Sequence, residues 1–374
     1  MTITNPFTDE LDDYCFDEKP MYVLEGTFLH IYEPSYSGYK KITDNPFNLA
    51  SLLCDKRGGS DYRYSIEAIE FFKGYLYFSW SYWDDNTSQY EYGITRIKIP
   101  DSTDIATWDL ADCEWACTTE ELPEIKIFEI SNDKLFYCDE NNHLFRRNYE
   151  VIPNDDLGYS IISLSSSNTQ NDDWEIDPTS LGLDSFISGG FEISDIQLNG
   201  STLYATVYKY KTYLIYTETD GVFDSGVYHA SSNGGILKFP VNEEVFEPKV
   251  WNENIPVPKL LGWYTHPEIP NNPKLYRDYY SYNDTTEEFD GKVSLQPPLE
   301  QADKYFYGAR KFIAKKPDEL VIADDGAYID YDNKKVNCKS RVVTVNLATE
   351  SLSVVDVNVT FSSHFSSCSY LELK

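Results

Sequence analysis

At 374 residues, with 41% hydrophobic and 25% charged side chains, the chain is long and apolar enough to bury a substantial core, which excludes wholesale disorder. Its 62 acidic against 31 basic residues leave a formal charge of -31, a field that repels phosphate backbones and anionic membrane surfaces, so nucleic acid is excluded as a partner. No stretch approaches the roughly 20 uninterrupted apolar residues that span a bilayer, so no integral membrane segment is expected.

Residues 1–20, MTITNPFTDELDDYCFDEKP, lack the basic start and apolar core of a signal peptide and read as an N-terminal extension. The compartment is then extracytoplasmic if a leader has been removed, and cytoplasmic otherwise. From residue 21 to 374 a single domain is expected, organised by a recurring pattern. An apolar residue is followed three positions on by another, then by a turn residue, then by Leu and a further apolar side chain. Met21, Gly26, Phe28 and Leu29 give a first copy. Clearer copies are Ile66, Ile69, Gly74, Leu76, Tyr77; Ile125, Phe128, Asp133, Leu135, Phe136; Ile193, Ile196, Gly200, Leu203, Tyr204; and Ile313, Asp318, Leu320, Val321.

Alternation after a turn marks a hairpin with one buried face. Third segments follow at 93–100, 143–148, 234–241 and 341–347, and fourth segments at 109–116, 245–251 and 351–359. Four antiparallel strands per copy is the anatomy of a propeller blade. The near-doubled interval between the third and fourth clear copies predicts a divergent blade within 242–307. The expected fold is therefore all-β: a closed β-propeller of about six blades, with five to seven allowed, because a ring leaves no exposed end sheets. No long helical periodicity is found; 301–311 reads as a short helix or a connector. Long insertions are expected near 163–185, 213–232 and 267–298, where recognition surfaces would lie.

The lines FEISDIQLNGSTLYATVY and SNGGILKF are similar to those of bacterial β-propeller proteins, and in particular of uncharacterised extracytoplasmic propeller lipoproteins of spirochaetes and related bacteria. The resemblance spans about residues 62–361. It implies a binding or scaffold role and transfers no catalytic residue; neither a WD dipeptide nor a kelch double-glycine pattern assigns a subfamily, and no lipobox is present.

Among chemical constellations, Trp80, Tyr82, Trp83, Asp84 and Asp85 form the candidate ligand-binding set, since ring faces can stack on sugars while carboxylates accept hydroxyl hydrogen bonds. STDIATW at 102–108 lacks the glycine of an Asp-box and is one residue short, so it reads as a turn. Asp324, Asp325, Asp330 and Asp332 can supply oxygen ligands to calcium, but their spacing departs from an EF-hand loop and a solvated hairpin turn is the expected role. No cofactor or metal site is therefore assigned. The five histidines are dispersed, and GxSxG, GxxxxGK[ST] and GxGxxG are absent, which disfavours serine-hydrolase, P-loop and Rossmann chemistry. Most of the seven cysteines read as buried thiols, with a local bridge from Cys113 to Cys117 as the alternative. The expected function is a monomeric, non-enzymatic recognition or scaffold module for a protein or glycan. The alternative is a carbohydrate-active enzyme using paired carboxylates among Asp84, Asp85, Asp324 and Asp325.

Overall fold

The computed structural model describes residues 21–35, 38–41, 46–98, 114–118, 122–156, 158–164, 174–176, 192–219, 222–240, 259–263, 282–283, 288–289, 301–330, 335–355 and 367–369. The chain divides into two compact units. One comprises 1–176, 242–252 and 362–374, the other 177–241 and 253–361.

In the first unit, β1 (Met21–Glu25), β2 (Phe28–Ser35) and β3 (Gly38–Lys41) form a meander; β4 (Phe47–Asn48) also pairs with β2. Gly26, at φ +61°, supplies the left-handed turn between β1 and β2. The helix α1 (Leu49–Arg57) follows directly. Asn48 caps it, its Oδ1 accepting from the N–H groups of Ala50 at 3.0 Å and Ser51 at 3.3 Å, and Lys56 and Arg57 sit in the last turn, where the helix dipole favours cations. Leu49, Ala50, Leu52 and Leu53 are buried against β1, β2 and the strands that follow.

Next come β5 (Tyr64–Phe72), β6 (Tyr75–Asp84), β7 (Gln89–Lys98) and β8 (Trp115–Cys117), an antiparallel four-stranded blade. A second blade follows in β9 (Ile125–Ile130), β10 (Lys134–Asp139) and β11 (Leu144–Ile152), with β12 (Ser160–Leu164) and β13 (Trp174–Ile176) both on β11. The first half of β11 pairs with β13 and the second half with β12. Because β12 also runs parallel to β8, the two blades join into one nine-stranded sheet.

The second unit contains the blade β14 (Glu192–Asn199), β15 (Thr202–Thr219), β16 (Val222–Pro240) and β17 (Lys259–Leu261). After the two-residue strands β18 (Tyr282–Asn283) and β19 (Glu288–Phe289) comes a further blade, β20 (Ala309–Lys315), β21 (Glu319–Asp330), β22 (Lys335–Asn346) and β23 (Leu352–Val355). Finally β24 (Ser367–Ser369) returns to the first unit and pairs with β1, Val23 opposite Cys368.

The fold is all-β, built of propeller-type four-stranded antiparallel blades. Each clear sequence copy is the first hairpin of a blade, and the Leu that anchors it is buried: Leu76, Leu135, Leu203 and Leu320 are at most 2% exposed. Three findings depart from the sequence reading. Helix α1 was not anticipated. The stretch 213–232 continues β15 and β16, paired from Tyr213 opposite His229 to Thr219 opposite Val222. The fourth strand of the β14 blade is 259–261, whereas the expected segment 245–251 lies outside the described residues. Most of 267–298 also lies outside them, as does most of 163–185, and with them the divergent blade placed in 242–307. Among the described residues no helix is long and apolar enough to cross a membrane.

Backbone and hydroxyl groups stitch neighbouring blades within each unit. Where the register of β5 shifts between Ile66 and Ala68, Ser79 Oγ accepts from the Ala68 N–H at 3.1 Å and donates to the Ile125 carbonyl of β9 at 3.0 Å. In the second unit the equivalent shift lies between Ile193 and Asp195, and Thr206 Oγ1 reaches the Arg310 carbonyl of β20 at 3.2 Å. Both hydroxyls stand three residues after the blade's Leu.

Candidate functional site

The sequence-nominated residues run from the middle of β6 into the turn that joins it to β7, and strand alternation divides them between two faces. Trp80 and Tyr82 point to the side of α1. Trp80 is 2% exposed; its Nε1–H donates to Thr95 Oγ1 at 3.0 Å, and the Arg57 guanidinium stands 4.4 Å from its ring centroid. That guanidinium also donates to Cys117 Sγ at 3.6 Å and pairs with Glu91 at 3.2 Å. Burial pushes the Cys117 thiol up, against the opposing pull of Arg57. Tyr82 packs on Tyr64 at 4.6 Å and over Gly59, where a Cβ would come within 2.8 Å of its ring.

Asp84 and Asp85 belong to the turn itself. The Asp84 carboxylate accepts from the Asn86 N–H at 2.9 Å, the Asn86 side-chain amide at 3.1 Å and Thr87 Oγ1 at 3.1 Å. These bonds, the Asn86 N–H foremost, hold its carboxyl below the ordinary range. Asp85 forms an ion pair with Arg63, whose guanidinium lies 5.4 Å from the Tyr62 ring centroid.

Trp83 lies on the opposite face, away from Trp80 and Tyr82. Its cross-strand partner is Tyr90, the rings meeting edge to face at 4.8 Å. Tyr90, 56% exposed, stacks in turn on Tyr92 with centroids 6.0 Å apart and planes 24° apart. Tyr92 is half-buried and packs on the apolar core shared by the β5 and β9 blades. The three rings thus make a continuous strip whose middle member is the most exposed.

Three carboxyl groups act on the Tyr92 end of this strip: Glu67 at the register shift of β5, Glu124 just before β9, and Glu140 in the β10–β11 turn. Burial raises the Tyr92 phenol first, followed by the fields of Glu124 and Glu140. Burial and the neighbouring Glu140 likewise raise Glu124, and burial and Glu124 raise Glu67. Lys126 opposes both shifts and donates from Nζ to the Glu140 carbonyl at 3.3 Å. Acidic groups therefore gather beside the rings, and Lys126 is the cation among the described residues that opposes them.

Sequence reasoning reached Trp83 but not Tyr90, Tyr92 or the three glutamates. A readable signal existed for the tyrosines, since a turn at 85–88 places Tyr90 opposite Trp83. Glu124 and Glu140 come from the next blade, and no local pattern announces them. Of the acids nominated for catalysis, Asp324 is 0% exposed in the second unit. It accepts from Arg341 Nε at 2.7 Å and from the Tyr307 and Gly308 N–H groups at 3.1 and 2.6 Å. The side chains of Asp325, Asp330 and Asp332 lie outside the described residues. Among the described residues no group of three or more His, Cys, Asp or Glu is disposed to hold a metal. Cys54 and Cys117 are free thiols and Cys138 is buried; Cys113 lies outside the described residues.

The TdpA C-terminal domain family model matches residues 279–369. No curated protein matches the chain. Among solved structures, the chain is similar to an exo-1,5-α-L-arabinanase from a bovine ruminal metagenomic library, at 8% identity over 90% of this chain and 95% of that one, TM-score 0.32. A chain of a Saccharomyces cerevisiae assembly containing Dbp5, Nup159 and Gle1 matches at 8% identity over 92% of this chain and 65% of that one, TM-score 0.30. The Cellvibrio cellulosa α-L-arabinanase complexed with arabinohexaose matches at 12% identity over 90% and 94%, TM-score 0.31. At such identities and TM-scores these likenesses carry no conclusion about activity.

Proposed function

We propose that this chain is a recognition module that binds its partner, a protein or a glycan, at the outer end of the β6–β7 hairpin. The observation that carries this reading is the strip Trp83, Tyr90, Tyr92, a run of ring contacts across a hairpin whose middle member, Tyr90, is 56% exposed. Rings fixed by a two-stranded frame offer large contact area at little conformational cost. Asp84 and Asp85 shape the frame: one closes the turn, the other ties it to Arg63. Trp80 and Tyr82 support it from beneath as part of the α1-facing core.

Screening the intact chain and a Trp83→Ala, Tyr90→Ala variant side by side on glycan and peptide arrays tests the proposal. Ligands retained by the intact chain and lost by the variant are expected; identical binding profiles would remove the strip as the site.

A second reading, hydrolysis of carbohydrate, draws support from one observation. Glu124 is raised by burial and by Glu140, and a carboxyl group raised beside a second carboxyl group is an arrangement that suits the general acid of glycoside hydrolysis. Release of reducing ends from polysaccharides, abolished by Glu124→Gln, would establish it; absence of release from any substrate bound on the array would eliminate it.

A further inference from the structure

Resting on the proposal that the Trp83–Tyr90–Tyr92 strip is a binding surface, we infer that its occupant is a basic segment of a partner protein, with a Lys or Arg side chain laid on the rings beside Glu67, Glu124 and Glu140. A neutral sugar could stack on the ring faces and give hydroxyl hydrogen bonds to the carboxyl groups, but it would leave their mutual repulsion uncompensated. A cation satisfies both features at once. Aromatic faces attract ammonium and guanidinium groups through their quadrupoles, and the three glutamates provide the complementary charge. The molecule already shows this chemistry internally: the Arg57 guanidinium stands 4.4 Å from the Trp80 centroid while pairing with Glu91, and Arg96 stands 4.0 Å from the Tyr75 centroid. Tyr75 in turn bonds Glu114. The outer strip repeats the combination of ring and carboxylate without a described arginine upon it.

Charge balance supports the choice. Glu124 and Glu140 repel one another, Glu67 feels Glu124, and among the described residues Lys126 opposes them while also bonded to the Glu140 carbonyl. A further positive charge would relieve that repulsion. The chain's excess of acidic residues would steer a basic segment toward it over a distance of about a Debye length, roughly 8 Å in physiological salt.

The test is calorimetric titration of the full chain with a short peptide carrying Lys and Arg, with its counterpart in which every basic residue is replaced by Gln, and with a neutral oligosaccharide. Binding of the basic peptide alone is expected. It should weaken about tenfold in Tyr90→Ala and in Glu140→Gln, a loss in the range of a partly desolvated cation–π contact, and persist in Tyr90→Phe, which keeps the ring. Both altered positions are exposed, and circular dichroism confirms that each variant is folded. Binding of the oligosaccharide but not the basic peptide would overturn the inference while leaving the strip as a site. Equal affinity of intact chain and Tyr90→Ala for the basic peptide would reduce the effect to diffuse charge attraction and overturn it too, as would binding of neither probe.

Discussion

A Cβ added at Gly93 would lie 2.3 Å from Cζ2 of Trp80, so the indole occupies the space that any other residue at position 93 would claim. The two residues are direct cross-strand partners on β6 and β7. Burying an indole at a hairpin's centre thus dictates glycine opposite it. Gly93→Ala is expected to cost about 1–3 kcal/mol, the usual range for forcing extra volume into a packed core. Denaturant unfolding measures it. The same change in a Trp80→Leu background should cost less, because the clashing atoms are gone; an equal cost would show that the strand backbone, and not the indole, sets the requirement.

Gly234 faces a harder constraint. A Cβ there would lie 2.2 Å from the backbone N of Ala309, and backbone cannot rotate aside as a side chain can. Gly234 also forms an isolated bridge to Phe306, joining β16 to the segment before β20. Gly234→Ala is therefore expected to destabilise more than Gly93→Ala in the same unfolding assay. A smaller effect would mean that the two blades of the second unit can slide apart at little cost.

Why the hairpins were legible and the candidate site was not follows from what each depends on. The pair Leu76 and Tyr77, or Leu203 and Tyr204, reports alternation along one strand, a local property that burial imposes on consecutive residues. The helix α1 was also written locally, in the Asn48 cap, the run Leu49 to Leu53 and the closing Lys56 and Arg57, but nine residues make too short a periodic signal to stand out. Grouping Trp80 through Asp85 as one surface treated neighbours in sequence as neighbours in space, whereas the pleat sends Trp80 and Trp83 to opposite faces. Glu124 and Glu140 reach the strip only because a second blade stacks on the first, which is a tertiary fact. The close approach of Gly234 to Ala309 is of the same kind.

Ser79 and Thr206 predict a shared device. Each hydroxyl sits three residues beyond the blade's Leu, faces a register shift in the preceding strand and reaches a carbonyl of the next blade. Removing such a buried partner leaves a desolvated backbone group unpaired, at about 1–3 kcal/mol. Ser79→Ala and Thr206→Val are each expected to lose stability in that range by denaturant titration. Loss of less than about 0.5 kcal/mol in both would show that water or backbone adjustment replaces the bond.

The carboxyl groups beside the aromatic strip give a pH signature. Glu67 and Glu124 are raised above the ordinary glutamate value by burial and by neighbouring carboxyl charge, so the folded state binds protons that the unfolded state has released. Their contribution to stability is present at low pH and is lost as pH rises from about 4.3, the usual glutamate value, through the raised ones. Glu124→Gln mimics the protonated form. Its melting temperature is expected to exceed that of the parent at pH 7, with the difference shrinking toward pH 4. A constant difference across that range would detach the effect from titration. The same substitution should weaken binding of a basic peptide, so stability and affinity move in opposite directions at this position.

The buried ion pair of the second unit behaves differently from an isolated one. Asp324 meets Arg341 at 2.7 Å, and each partner also anchors the 301–308 connector: Asp324 accepts from the Tyr307 and Gly308 N–H groups, while Arg341 donates to the Ala302 and Tyr305 carbonyls at 2.7 and 2.6 Å. Asp324→Leu strands a guanidinium in the core, and Arg341→Met strands a carboxylate; each is expected to cost about 3–5 kcal/mol. For many buried pairs, replacing both charges with apolar groups restores stability. Here it should not, because an Asp324→Leu, Arg341→Met chain would leave two N–H groups and two carbonyls without their side-chain partners. The double variant is expected to lose less than the two single variants summed, yet to stay well below the parent, with new protease cleavage within 301–308. Full recovery of the unfolding midpoint would show that the connector is held by packing of Phe306 and Tyr307 and not by these bonds.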